Sequence, residues 1–549
     1  MAIRSAEPAP WLPALADALA EALPRLLGEA PDPRLAGLIR AMTAALERGE
    51  LELDLDDPAP AGLDPADWPE GIRRALEASA LTRPPEGPLV VEGGRIAWRR
   101  WWEQRQRQLA SLIARAACPP AWGALDLDGS PDAAEEAGLD PDQLRAVTAL
   151  DRHRLVLLQG GPGTGKTSTV SRMLKRQLQL RPGLRIHLAA PTGKAAARLR
   201  AASGEAHPCT TLHRLLESRG DGFGRNRHHP LALDLLVVDE VSMVDLALMD
   251  ALLEALPEPC SLVLVGDPAQ LPPIAAGAPL LDLQQDGARQ ALGPALITLR
   301  TVHRNAGAIA AVAASLRQAS TALRQNAPAL EADPLVAIRP DLERLGPGDN
   351  LRWQQLPAGP PPPPVLERLA DHQRRLAELA QACSGGESDP AAERELLAER
   401  DRLLVLTPRR QGRWSVEAIH RALLGESWAD PFRWPTGTPA ICCRNLPELG
   451  LANGDVGVLL GPDPQDGERR LLFGDPTAQG LRVHPAQLAG GLEPALALTV
   501  HKAQGSEARE LIVLLPAGEP RDPRLLYTAL TRAREQALLI STKGAPSLA

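Results

Sequence analysis

Short, uninterrupted apolar runs recur along the chain, each closed by glycine, proline or a charged residue. A first series occupies residues 154–158, 185–190, 235–238, 261–265 and 296–299. Runs this short and this apolar predict buried strands. Helical spacing falls between them, at 140–150 and 168–179. Strands alternating with helices predict a parallel sheet with crossover connections. A second series begins at 403–406 and resumes at 510–515 and 537–540. Between 431 and 487 the pattern turns β-like, with runs at 441–443, 456–460 and 470–473 separated by Gly/Asp/Pro turns. That predicts a small barrel or sheet inserted into the second α/β domain.

The first 135 residues read differently. Segments 11–27 and 33–51 have the pattern of amphipathic helices, and 90–98 reads as a hairpin turning at Gly93-Gly94. A helix opens at Arg99-Arg100-Trp101-Trp102 and runs to 117. Its Trp/Arg cluster suits an interface as well as a core. Pro360 to Pro364 read as an extended, exposed loop or spacer, and 384–388 as a second loop. The expected fold is α/β. A mostly helical N-terminal domain (1–135) precedes a first parallel-sheet domain (136–300). A second (301–430 and 488–549) carries the β insertion (431–487).

The run at 154–158 leads into Gly160-Gly161-Pro162-Gly163-Thr164-Gly165-Lys166-Thr167-Ser168. Strand, glycine-rich loop and helix together make a phosphate cradle. Its backbone N–H groups and the helix N-terminus face an anion, Lys166 reaches the β- and γ-phosphates, and Thr167 ligates Mg²⁺. Asp239-Glu240 close the strand at 235–238. There Asp239 holds Mg²⁺, and Glu240 orients and deprotonates the attacking water. Gln270, beyond the strand at 261–265, suits sensing of the γ-phosphate. Gln143, ahead of the loop, offers one donor and one acceptor to an adenine edge.

Composition narrows the setting. A hydrophobic fraction of 44% and mean hydropathy of −0.16 fit a soluble globular chain. No apolar run reaches membrane-spanning length. The 6 cysteines form no CxxC pair, which predicts a reduced, cytoplasmic protein. Net charge −8 argues against a generally basic nucleic-acid coat but leaves room for a local basic channel. Lys and Arg total 60, yet lysine stands only at 166, 175, 194, 502 and 543. Where lysine persists in an arginine-using chain, a compact ammonium is the better fit, so Lys194 and Lys502 join Lys166 as candidates. Tyr527, the 1 tyrosine of the chain, is a weaker candidate of the same kind.

The ordered strings GGPGTGKT (160–167), APTGKAAARL (190–199), TLHRLL (211–216), VVDEVSMVD (237–245), LVGDPAQLPP (264–273), LRTVHRN (299–305), TVHKAQGSE (499–507) and YTALTRAR (527–534) resemble those of superfamily 1 helicases, most closely the RecD branch. The segment 94–103, GRIAWRRWWE, is similar to the stretch that precedes the helicase core in RecD of RecBCD, exodeoxyribonuclease V.

The resemblance implies two RecA-like domains with ATP and Mg²⁺ between them, and an SH3-like insertion. It implies catalytic roles for Lys166, Glu240, Gln270, Arg304 and Arg532, the two arginines reaching the γ-phosphate from the second domain. Metal binding falls to Thr167 and Asp239, and Gln143 meets adenine. Contact with single-stranded DNA falls to Thr192, Lys194, His213, Asn453, Thr499, His501 and Lys502, with local packing as the alternative for the two histidines and the nucleotide as the alternative for Lys502. It implies 5′→3′ movement and RecB-like and RecC-like partners, RecB carrying the nuclease. A self-sufficient helicase, an assembly subunit with an inactive motor, and a P-loop ATPase unconnected with DNA are the competing readings.

Overall fold

The computed structural model describes residues 12–47, 49–123, 138–204, 207–220, 222–302, 307–324, 334–384, 389–464, 466–474, 480–488, 490–516 and 522–543. Arg304 and most of the loop expected at 384–388 lie outside the described residues.

The first apolar series forms one six-stranded sheet. Its order is Leu296–Leu299, Leu155–Gly160, Ser261–Gly266, Leu235–Val238, Ile186–Ala190 and Cys209–Thr211, with every pairing parallel. All residues of the three central strands are buried, as a parallel sheet covered on both faces requires. Helix Lys166–Leu180 covers one face through Val170, Met173 and Leu174. The other is covered by Leu246–Ala255 and by Leu112 and Ala116 of helix Arg99–Ala117.

That last contact moves a boundary. The helix at 99–117 shares the core of the first α/β domain, although it precedes residue 136. Gln108 Nε2 donates to Leu246 O at 2.7 Å, and Arg115 Nη1 to Cys260 O at 2.5 Å. Arg105 bridges Glu52 at 2.6 Å and Asp282 at 3.3 Å, tying the N-terminal domain to the same body.

The N-terminal domain contains the helices Leu12–Leu26, Pro33–Glu47 and Glu70–Ala78 and an antiparallel three-stranded sheet. The hairpin Leu89–Glu92 to Arg95–Trp98 turns at Gly93 and Gly94, whose φ values of 57° and 81° suit a primed turn. Its tryptophans are used internally. Trp98 is buried, Trp101 meets it edge-on at 6.4 Å, and Trp102 Nε1 donates to Glu92 Oε2 at 3.0 Å.

The second parallel sheet has the order Leu351–Leu356, Ala533–Thr542, Ala508–Leu515, Leu403–Thr407 and Leu498–Thr499. The insertion is an antiparallel five-stranded sheet, ordered Leu481–Val483, Arg469–Phe473, Val456–Pro462, Pro439–Cys442 and Leu492–Pro494. Because Leu492–Pro494 pairs with Pro439–Cys442, the insertion extends past the expected end at 487. It has its own core around Trp434, Leu459, Leu471 and Phe473.

Only Pro360 and Pro361 of the proline run are the loop expected. Pro362 caps the helix Pro363–Ala382, so Pro363 and Pro364 occupy its first turn. Backbone N–H groups there have no intrahelical acceptor, so proline loses nothing and presets φ.

Candidate functional site

The phosphate loop leaves the carboxyl end of strand Leu155–Gly160. Gly163 and Gly165 have φ of 75° and 81°, a conformation open to glycine and strained for other residues. A β-carbon at Gly160 would lie 2.6 Å from Thr164 Oγ1, so the first turn also requires glycine. Lys166 Nζ donates to Gly160 O at 2.8 Å and Gly161 O at 3.2 Å, curling back over the loop from the first turn of its helix. Thr167 follows on that turn. The loop therefore has the geometry expected for a phosphate cradle.

Asp239 and Glu240 end the strand that lies two positions away from the loop strand, across Ser261–Gly266. Burial, followed by the neighbouring Glu240 carboxylate, pushes the Asp239 carboxyl up to about 6, while Lys166 opposes the shift. Lys166 thus lies within electrostatic reach of Asp239, and Thr167 follows Lys166 in the same helical turn. A threonine hydroxyl and a carboxylate are hard oxygen donors, fitting Mg²⁺ that takes its remaining ligands from phosphates and water. Among the described residues no group of three or more His, Cys, Asp or Glu side chains forms a metal cluster. Glu240 has a φ of 52°, left-handed for a non-glycine residue. Such strain costs on the order of 1–3 kcal/mol and concentrates where a side chain must be aimed.

Gln143 is buried and completes a capping box: Asp140 N–H donates to Gln143 Oε1 at 3.2 Å, and Gln143 N–H to Asp140 Oδ1 at 2.9 Å. Its carbonyl is thus engaged by its own helix end. Gln270 is buried and, with Ser242 and Asp267, lines a small cavity beyond strand Ser261–Gly266.

The second domain docks directly on this strand end. Leu271 N–H donates to Thr528 Oγ1 at 2.8 Å, and Gln504 Nε2 to Leu271 O at 3.1 Å. Tyr527 O–H donates to Asp267 Oδ2 at 2.6 Å, with both residues buried. A buried bond to a charged acceptor contributes about 1.5–3 kcal/mol. Arg532, on the turn after helix Pro523–Leu530, is 3% exposed. Its guanidinium donates to Thr528 O at 3.0 Å and Thr531 Oγ1 at 3.3 Å, so in this conformation it serves its own helix end.

The residues expected at DNA fall into separate groups. The segments that carry Thr192, Lys194 and Asn453 come together. A β-carbon at Gly193 would lie 2.8 Å from Ala452 Cβ, and one at Gly505 would lie 3.2 Å from Thr192 Oγ1. The Thr192 hydroxyl accepts from Ala195 N–H at 3.2 Å as a helix cap, while Asn453 is exposed. Lys194 Nζ donates to Ser506 Oγ at 3.2 Å and lies 3.9 Å from Asp401. Thr499, His501 and Lys502 line a cleft of about 1860 Å³ between the domains. Thr499 Oγ1 accepts from Lys502 N–H at 3.2 Å, and Lys502 Nζ pairs with Glu493 at 2.8 Å. His213 lies apart, its ring 6.1 Å from Phe223 on the small hairpin Ser218–Arg219 to Gly222–Phe223. Burial lowers the pKa of both His213 and His501.

Lys194 carries a testable cost. Burial pulls its ammonium down to about 8 from 10.5, with Asp401 opposing. Asp401 is held low chiefly by Arg400, so it keeps a partner without the lysine. The folded pKa lies below the unfolded one, so this penalty is full below about pH 8 and fades as pH rises toward 10.5. Lys194→Met is therefore expected to stabilise the chain at pH 7 by up to about 3 kcal/mol, with the gain falling below about 1 kcal/mol near pH 10. Denaturant titrations at both pH values check it; a variant destabilised at pH 7 refutes the assignment.

Tyr527 was marked in the sequence by its rarity and as the first residue of YTALTRAR, and its partner Asp267 as part of a strand-end motif. Arg317, which also reaches this site, gave no signal in its alanine-rich helix.

Two family models match: an AAA domain over residues 143–276 and a UvrD-like helicase C-terminal domain over 494–540. The chain is 33% identical to the RecBCD enzyme subunit RecD of Mycolicibacterium smegmatis, across 94% of this chain and 91% of that protein. It is 33% identical to the ATP-dependent RecD2 DNA helicase of Deinococcus radiodurans, across 78% of this chain and 53% of that one. Bacteroides Pif1 bound to single-stranded DNA aligns with a TM-score of 0.41 and 17% identity, over 73% of this chain and 92% of that chain. With the phosphate loop, its acidic pair and the docked second domain in place, identity of this extent along nearly the whole chain makes it a member of the RecD helicase family.

Proposed function

We propose that the chain is an ATP-dependent 5′→3′ DNA helicase acting as the RecD subunit of a RecBCD-type helicase–nuclease in double-strand break repair. The observation that carries this is the docking of Gln504, Tyr527 and Thr528 of one parallel-sheet domain onto Asp267–Leu271 at the strand end of the other. ATP held by the loop lies within reach of that seam. A change in the phosphates is then read as movement between domains, and a strand gripped by both domains is drawn along.

Lys166 grips the phosphates, and Glu240 orients water and accepts its proton. Gln270 couples the site to the DNA track, and Arg304 and Arg532 complete the γ-phosphate shell on domain closure. Thr167 and Asp239 would hold Mg²⁺, which would supply positive charge beside the phosphate oxygens. Gln143 meets adenine through its amide. Thr192, Lys194, His213, Asn453, Thr499, His501 and Lys502 contact a DNA backbone without reading bases, as translocation along any sequence requires. The insertion is the SH3-like subdomain of this branch. The N-terminal domain docks a RecC-like partner in the bacterial cytoplasm. Among the described residues no helix is long and apolar enough to cross a membrane.

The stand-alone alternative rests on the similarity to RecD2. However, at the same 33% identity the likeness to the M. smegmatis RecD extends over 94% of this chain against 78% for RecD2, which favours the subunit reading. The test is purification from the native host, followed by unwinding assays with 5′- and 3′-tailed duplexes. Co-purification with two larger chains, and unwinding from the 5′ tail that Lys166→Ala abolishes, is the expected result. Processive unwinding by the isolated chain overturns the subunit assignment. Hydrolysis indifferent to single-stranded DNA in the assembled complex overturns the helicase assignment.

A further inference from the structure

A guanidinium of the second domain stands over the phosphate loop at a place the motifs do not mark. Arg317 belongs to helix Ala308–Arg324, with the fully buried Leu316 beside it anchoring the helix. A β-carbon built on Gly161 lies 2.9 Å from Arg317 Nη1. Arg317 Nη2 lies 3.7 Å from Asp267 Oδ1. The other oxygen of Asp267 accepts from Tyr527 O–H at 2.6 Å, and Tyr527 Oη is itself 3.2 Å from the same built β-carbon. Residues 267, 317 and 527 therefore meet over one glycine of the loop.

At 3.7 Å the Arg317–Asp267 pair is Coulombic and longer than a hydrogen bond, and the arginine side chain is 32% exposed toward the interdomain cleft. One edge of the planar fork faces Asp267 while Nη1 faces the loop. A loop shaped to cradle phosphate gains from a planar, multi-donor cation beside it, because guanidinium bonds phosphate oxygens in pairs. The fully buried Asp267 is fixed by Tyr527 and by Ala269 N–H at 3.1 Å, so it sets where the arginine stands. Arg532 differs in this conformation, since its donors are turned to Thr528 and Thr531.

We propose that Arg317 is a further arginine that the second domain supplies to the phosphates of ATP, and that Asp267, clamped by Tyr527, is its positioning residue. This rests on reading the loop as an ATP site. Each nucleotide state then feels the second domain through this cation. The Tyr527–Asp267 bond crosses the seam and holds the cation on station while the domains are docked.

The test uses the full chain with any subunits that co-purify. It measures equilibrium binding of ADP and of a non-hydrolysable ATP analogue, and single-stranded-DNA-stimulated ATP hydrolysis. Arg317→Ala is expected to weaken the analogue about 10-fold, leave ADP within about twofold, and lower kcat by about 10²-fold. Arg317→Lys keeps the charge and loses the fork, so it should fall between. Tyr527→Phe removes one hydroxyl and should shift kcat and the analogue-to-ADP ratio in the same direction by a smaller factor. Unchanged kcat and an unchanged ratio in Arg317→Ala overturn the proposal. Equal loss of both nucleotides with a lowered Tm also overturns it, making Arg317 a strut. If Arg317→Ala does not fold, a wild-type kcat in Arg317→Lys overturns it. Hydrolysis persisting in Lys166→Ala would instead remove the ATP-site reading itself.

Discussion

Glu240→Gln is expected to lower DNA-stimulated ATP hydrolysis by about 10³-fold while ATP still binds. The amide has the shape of the carboxylate but cannot accept the proton of the attacking water. Nothing in the loop changes, because Lys166 is held by Gly160 and Gly161 and not by Glu240. The strained backbone at φ 52° persists, since Glu240 N–H still donates to Asp239 Oδ1 at 2.8 Å. A loss of 10³ corresponds to about 4 kcal/mol of transition-state stabilisation, within the span of one general base. With hydrolysis stalled, the ATP-bound grip on DNA should persist and unwinding should stop. Single-turnover hydrolysis with a parallel nucleotide-binding titration checks this. Normal turnover in Glu240→Gln moves the base elsewhere, and lost ATP binding makes Glu240 a structural residue.

Gly437→Ala is expected to destabilise the insertion and its attachment by about 4 kcal/mol, adding the cost of a left-handed alanine to that of overpacking. Gly437 has φ of 81°, and its N–H donates to Leu459 O at 2.8 Å. A β-carbon there would lie 2.3 Å from Ala377 N and 2.6 Å from Ala377 Cα. Those are backbone atoms inside helix Pro363–Ala382, so no rotamer change relieves the contact. Gly454→Ala is the control. Its φ is 94°, but no atom lies within 4 Å of its built β-carbon, so only the conformational cost of about 1–2 kcal/mol remains. Denaturant unfolding of both variants checks the difference. Equal losses would mean the close packing of Gly437 on the helix is absent in solution.

The backbone of the candidate phosphate site was legible because its geometry is local. A glycine-rich turn between an apolar strand and a helix sets Lys166 and Thr167 in the first helical turn, and the buried strand Leu235–Val238 leaves Asp239 and Glu240 just past its end. The hairpin at Gly93-Gly94 was legible for the same reason. The strand Leu351–Leu356 was not. Its burial alternates with exposure, because it is an edge strand pairing on one side with Ala533–Thr542. The proline run misled because proline signals both an extended spacer and a helix first turn. Only the helix packed behind it, with Val365 and Leu369 buried, decides between them.

By itself the sequence determined the two α/β series, the phosphate loop with its acidic pair, and the β-rich interruption, since each depends on periodicity or on a few neighbouring residues. Tertiary structure alone decided that helix Arg99–Ala117 belongs to the core of the first domain. It also decided that Tyr527 closes on Asp267, 260 residues away in the chain, and that the half-buried Lys194 packs against Ser506 and Asp401. It alone brought Arg317 over Gly161. Those outcomes depend on how two separately folded sheets dock. No short stretch of either sheet encodes that, because the docking free energy is a sum over contacts between segments hundreds of residues apart.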